Sequence, residues 1–292
     1  MKTLLKLLAA WVVFGVAFVA GGMLVWMLHL RVNVPIDHIA FYLRLLTFAA
    51  GGAVLVVGLW PLARGLAAST VARATVLGAF LFLALGTNTI FDGAIYSSSF
   101  DGSIASSLLT FLVLALLLGS ALGAEFGGQG NATGFARHGV VALGGRAVLA
   151  FLAWPFIYLA FGAMIAPIVM PYYQSGVVAG LHIPPMQTIL AVQLVRSLIF
   201  LASSLPLIVL WRGTRGSLWF ALGLAHTVAI GLFGLTLANF LPAVLRITHS
   251  AEIACDSFAY AGLLVLLFAA PQHDKGKAPT AGSLAQGMHS PS

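Results

Sequence analysis

Apolar residues run through the chain in long stretches, interrupted at regular intervals by short polar, glycine-bearing or proline-bearing segments. A helix needs about 20 consecutive apolar residues to cross the hydrocarbon core of a bilayer. Eight segments qualify, near 5–28, 39–62, 74–94, 103–124, 147–169, 187–210, 217–240 and 247–270. Lipid offers no hydrogen-bonding partners to the backbone, so each must satisfy its own amides as a helix. The expected fold class is therefore all-α, a polytopic transmembrane bundle of about eight helices.

Composition removes the main competitor. Of 292 residues, 61% are hydrophobic and 7% are charged, against about 25% charged in a soluble domain. With a mean hydropathy of +1.05, a water-soluble enzyme is excluded. The net charge of +7 does not point to nucleic acid, because the cations are scattered and form no stripe or binding motif. Cys255 is the single cysteine, which rules out an intramolecular disulfide or a cysteine-only metal site. The opening Met1-Lys-Thr-Leu-Leu-Lys6 resembles a signal peptide, but its apolar stretch continues to Leu28 and Phe18 stands where cleavage wants a small residue. It is read as a retained first helix.

The cations set an orientation. Segments on the N-terminal side of the membrane hold Lys2, Lys6, Arg64, Arg73, Arg137, Arg146, Arg212, Arg215, Lys275 and Lys277. The opposite side holds Arg31, Arg44 and Arg246. By the positive-inside rule the protein is expected in a plasma (inner) membrane with both termini cytoplasmic.

Rare residues also recur. Arg44-Leu-Leu-Thr-Phe-Ala-Ala50 resembles Arg196-Ser-Leu-Ile-Phe-Leu-Ala202, and at an offset of 151 Trp60, Gly65, Asn88 and Asp101 match Trp211, Gly216, Asn239 and Glu252. These matches suggest a parallel four-plus-four repeat about an axis along the membrane normal. The expected organisation is a first half over 1–124, a Gly-rich cytoplasmic linker over 125–146, a second half over 147–270 and a disordered cytoplasmic tail over 271–292. The linker has no lysine placed to complete a phosphate cradle.

The few polar residues inside the spans carry the candidate chemistry. Arg196 falls about 16 Å into its helix, where a charge costs several kcal/mol unless it meets a partner or water. Arg246, His249, Glu252 and Asp256 are spaced by three, three and four residues and so share one helical face. Glu252, or else Asp256, is the expected partner of Arg196, and the repeat predicts an equivalent Arg44–Asp101 pair. Such pairs can fix helix packing alone, or line a functional cavity. His226 reads as a hydrogen-bonded packing histidine. Asn88 and Asp92, one turn apart, could receive an ion or substrate at the outer mouth, or simply cap and solvate the helix end.

No cofactor is expected. Zinc on His226, His249 and Glu252 lacks a recognised ligand spacing. The two-half, eight-helix plan resembles that of haem A synthase in plan alone, and the span near 103–124 has no histidine with which to hold haem. Signatures of ATP-driven transporters and intramembrane proteases are absent. The leading expectation is a non-enzymatic, transporter-like or permease-like protein with an outward-facing polar cavity lined by Arg196, His226, Glu252, Asp256, Asn88 and Asp92. Its rivals are a membrane enzyme on a lipid-linked substrate, with Glu252, Asp256 or His249 as base, and a structural or sensory subunit. The bilayer is the expected partner. The apolar outer loop from Met170 to Met186 could serve as a lid over the cavity or as the docking surface for a partner subunit, and a homo-oligomer is a further partner expectation.

Overall fold

The computed structural model describes residues 1–30, 40–96, 104–128, 132, 136, 139–174 and 182–270. Eight helices in it are long and apolar enough to cross a membrane, with no named strand among the described residues. They are α1 Lys2–Met27, α2 Phe41–Gly65, α3 Thr70–Tyr96, α4 Ile104–Glu125, α5 Val140–Gln174, α6 Met186–Val209, α7 Arg215–Leu237 and α8 Ala243–Phe268. The chain is thus an integral, multi-pass helical membrane protein.

Helix α5 differs most from expectation. Its 35 residues extend about 52 Å, well beyond the core of a bilayer. Part of the expected linker, from Val140 to Arg146, is helical, as is the start of the expected outer loop, Met170–Gln174. Pro155, Pro167 and Pro171 lie inside the helix.

Local chemistry explains where other helices begin. Ser69 caps α3 by accepting from the Ala72 amide, and Thr214 caps α7 by accepting from the Ser217 amide, which satisfies donors that the first turn leaves unpaired. Both helices pass through a π-helical stretch in mid-span, Leu81–Thr87 in α3 and Val228–Leu232 in α7.

The two halves pack alike. Helix α4 lies against α1 and α3, and α1 against α2; α8 lies against α5 and α7, and α5 against α6. Between the halves, α2 packs on α7 and α3 on α6, so exchanging the halves leaves these relations unchanged. The identity matches that suggested the repeat nevertheless occupy unlike positions. Trp60 lies inside α2 but Trp211 lies past the end of α6, Gly65 ends α2 but Gly216 is in the first turn of α7, and Asn239 lies beyond the helix end that Asn88 precedes. The structural register instead pairs the ends of α2 and α6, where Leu66 bridges Trp211.

One end of the bundle is tied by cations on helix C-terminal carbonyls. Lys6 of α1 donates to the Glu125 carbonyl, and Arg73 of α3 donates through Nε to the Gly123 carbonyl at 2.9 Å. In the second half, Arg146 of α5 donates to the Leu267 carbonyl, and Arg215 of α7 donates through Nε to the Ala269 carbonyl at 3.2 Å. Cations at the negative end of a helix dipole are favourably placed. In each half the first and third helices cap the fourth.

Candidate functional site

One buried charge of the bundle, that of Arg196, lies where the halves meet. Arg196 of α6 is only 4% exposed and forms its ion pair with Asp92 of α3. This replaces the expected partner Glu252 or Asp256. Helix α6 packs across the half boundary against α3, so the acid in reach is the one near the end of α3. Asp92 keeps its side chain 45% accessible, which makes it the outward side of the pair.

The π-helical stretches help build this junction. Asn88, the residue directly after the π stretch of α3, donates through Nδ2 to Asp92 Oδ2 at 3.1 Å and to the Ile230 carbonyl at 3.0 Å. Ile230 lies within the π stretch of α7. A π stretch shifts the helical hydrogen-bond ladder by one residue and is often found at functional sites. Here it offers a carbonyl to a side chain of the other half.

Glu252 has a different role from the one expected. Its Oε2 lies 2.7 Å from His249 Nδ1, and His249 Nε2 lies 3.2 Å from the Tyr173 hydroxyl on α5. Its Oε1 sits 3.3 Å from where a Cβ on Gly162 would stand, so α5 is seated closely over this carboxylate. Nearby, the Tyr96 and Tyr158 hydroxyls meet at 3.1 Å, joining α3 to α5.

Deeper in the second half lies a polar core of which the sequence singled out His226 but not Gln193, Ser197 or Ser204. Trp154 donates to Gln193 Oε1 at 2.9 Å and packs edge-on against Phe200 and Tyr260. His226 is fully buried, bonds Ser204 through Nε2 at 2.9 Å and stacks on Phe80 at 5.4 Å. Gln193, Ser197, Phe200 and Ser204 recur at steps of four, three and four, one face of α6. A search for polar periodicity on α6 would have found this stripe.

Many of these groups have spare bonding capacity. Buried atoms without a hydrogen-bond partner include Asn88 Oδ1, Gln193 Nε2, Arg196 Nε, Ser197 Oγ, His226 Nδ1, Asp256 Oδ1, Ser257 Oγ and the Tyr260 hydroxyl. An unsatisfied polar atom costs about 1–3 kcal/mol, so such a concentration marks a region fitted to something other than tight packing.

The remaining candidates lie apart. Arg44 and Asn239, with Phe41, Leu45, Thr47, Phe48 and Leu237, line a groove of about 370 Å³. Asn239 donates to the Thr47 hydroxyl at 2.9 Å. Asp101, the expected partner of Arg44, lies outside the described residues, as do Arg31, Arg137, Lys275 and Lys277. Among the described residues no group of three His, Cys, Asp or Glu could hold a metal ion. No protein family, curated protein or solved structure matches the chain.

Proposed function

We propose that the protein is a transporter-like, non-enzymatic membrane protein of the inner membrane, whose polar interior at the junction of the halves receives an anionic group. The observation that carries this reading is Arg196: a buried guanidinium at the half boundary, held by a half-accessible carboxylate and with Nε unpartnered. Asp92 is then the group that a substrate anion displaces. The orphaned hydroxyl of Ser197, the residue that follows Arg196 on α6, and the Asn88 carboxamide oxygen are further unpartnered polar groups from the helices that build the junction. A packing role alone would leave a dry, closed pair, and an enzyme on a lipid-linked substrate would need the pair to open sideways to lipid.

Accessibility distinguishes these. In a Cys255→Ser background, the Ser197→Cys variant in proteoliposomes is expected to react with a membrane-impermeant methanethiosulfonate reagent, and phosphate or a carboxylate in millimolar excess is expected to slow that reaction. A position that stays unreactive under all conditions would overturn the reading.

A further inference from the structure

One face of α8 bears titratable groups from its second turn to beyond its middle. His249, Glu252, Asp256 and Tyr260 follow at steps of three, four and four, a rise of about 16 Å. Glu252, Asp256 and Tyr260 are each at most 7% exposed. The upper part is already hydrogen-bonded in series, Tyr173 hydroxyl to His249 Nε2 and His249 Nδ1 to Glu252 Oε2. Asp256 follows one turn below, with Cβ atoms about 5–6 Å apart at that spacing, and its Oδ1 is buried without a partner. Residues four apart on a helix are also where a proton can pass between side chains by small rotations.

Other groups face this ladder from every packed helix. They are Tyr158 and Tyr173 from α5, with Tyr96 and Asp92 of α3 within electrostatic reach of them. Arg196 of α6 and Glu252 both act on Tyr158, and His226 of α7 stacks near Tyr260 at 6.3 Å. Arg246 lies one turn above on α8 itself. No cation closes Glu252 or Asp256 into a salt bridge among the described residues; the only ion-pair partner of Glu252 there is His249. An acid chain of this kind in a membrane is the usual form of a proton path.

We propose that α8 carries a proton relay, entering at Tyr173 and His249 and ending at Asp256, and that the ion coupled to the Arg196 site is therefore the proton. This deepens the transport reading and rests on it only in naming the coupled ion. The Tyr173 hydroxyl gives its proton to His249 Nε2 and takes one from solvent. The Nδ1 proton leaves to Glu252 Oε2, and the carboxylic acid so formed passes its proton to Asp256 Oδ1. Each transfer breaks one N–H or O–H bond and makes one on the next atom, without redox change. The neutral imidazole left behind carries its proton on Nε2; with its side chain 22% accessible, it returns to the Nδ1–H form by losing the Nε2 proton to one water and taking an Nδ1 proton from another.

The test is infrared spectroscopy of the full chain in lipid nanodiscs, following the exchange of carboxylic acid protons on a jump into heavy water between about pH 5 and pH 8, the range in which histidine changes charge. A carboxylic acid band lost in Asp256→Asn is expected, and its exchange should slow at least tenfold in His249→Gln and in Tyr173→Phe. Glu125→Gln, at the opposite end of the bundle, should leave it unchanged. The relay is overturned if neither Asp256→Asn nor Glu252→Gln removes a band, or if exchange is as fast in both relay variants as in the native chain. Because no substrate is used, the relay can hold even if Ser197→Cys proves inaccessible, and the two proposals fail separately.

Discussion

The two halves share a scaffold and differ in what they enclose. At one end each closes its fourth helix with cations from its first and third, Lys6 and Arg73 on α4, Arg146 and Arg215 on α8. Inside, the first half is filled by rings: Phe14, Phe18, Phe48 and Phe111, with Phe233 of α7 inserted among them at centroid separations of 5.0–6.3 Å. Gly52 makes room for Phe14, whose ring stands 2.4 Å from where a Cβ would be. The second half packs rings too, Trp154 against Phe200 and Tyr260, but it also buries Gln193, Ser197, Ser204, His226, Asp256 and Ser257. The first half buries fewer polar side chains, Arg73, Asn88 and Ser106, and fills its interior mainly with rings, so the polar content of the second exceeds what this plan of packing requires.

The largest effect should follow from emptying the apolar half. Phe14→Ala removes a buried ring packed against three others, Phe18, Phe48 and Phe233, and is expected to cost about 3–5 kcal/mol, read by denaturant unfolding in mixed micelles. Association of helices in lipid depends on such contacts rather than on water exclusion, so the loss is one of packing. An unfolding midpoint unmoved by Phe14→Ala would mean that the rings do not hold the first half together.

Next comes the boundary between the halves. Asp92→Ala leaves the Arg196 guanidinium buried without its counter-charge, and is expected to cost about 3 kcal/mol. Adding Arg196→Leu removes the stranded charge and should recover most of that loss. If the double variant is no more stable than Asp92→Ala alone, Arg196 has a second partner as important as Asp92.

Much of this was legible in the sequence, for identifiable reasons. Apolar length alone indicates eight crossings, because a helix that spans lipid has a minimum length and few charges. The shared face of His249, Glu252 and Asp256 follows from their spacing, since rotation per residue is fixed within one helix. The partner of Arg196 was not legible, because depth along a helix says nothing about which helix lies beside it. The nearest acid is on α3, across the half boundary, where Asp92 reads as a helix-end residue. Neutral groups such as Gln193, Ser197 and Ser204 were also missed, since uncharged polar residues do not interrupt an apolar stretch. The rare identities that suggested a repeat match at offsets of 151 and 152, whereas the caps with like roles, Lys6 with Arg146 and Arg73 with Arg215, lie 140 and 142 apart.

Smaller changes sharpen the contrast inside the cores. Ser197 and Ser257 are fully buried with unpartnered hydroxyls, so Ser197→Ala and Ser257→Ala should each stabilise by about 1 kcal/mol, at the expense of the polar interior. The same substitution at Ser106, a buried serine of the first half whose hydroxyl is not among the unpartnered atoms, should not stabilise. Equal gains at all three positions would remove the distinction between the halves.

The smallest expected effect tests the feature that the halves share. Arg215→Gln weakens one cap on α8 and should cost about 0.5 kcal/mol, because Arg215 is partly accessible and α8 keeps its second cap from Arg146. Arg73→Gln should cost more, since Arg73 is 5% exposed and reaches the carbonyls of both Ala68 and Gly123. Both should loosen the end of the fourth helix first, seen as faster amide exchange at Leu122–Glu125 in one case and Val265–Phe268 in the other. Loosening confined to the substituted half is the outcome that equivalent scaffolds require. If Arg215→Gln instead speeds exchange at the end of α4, the caps act across the half boundary through the Leu66–Trp211 bridge, and the scaffold is one unit rather than two.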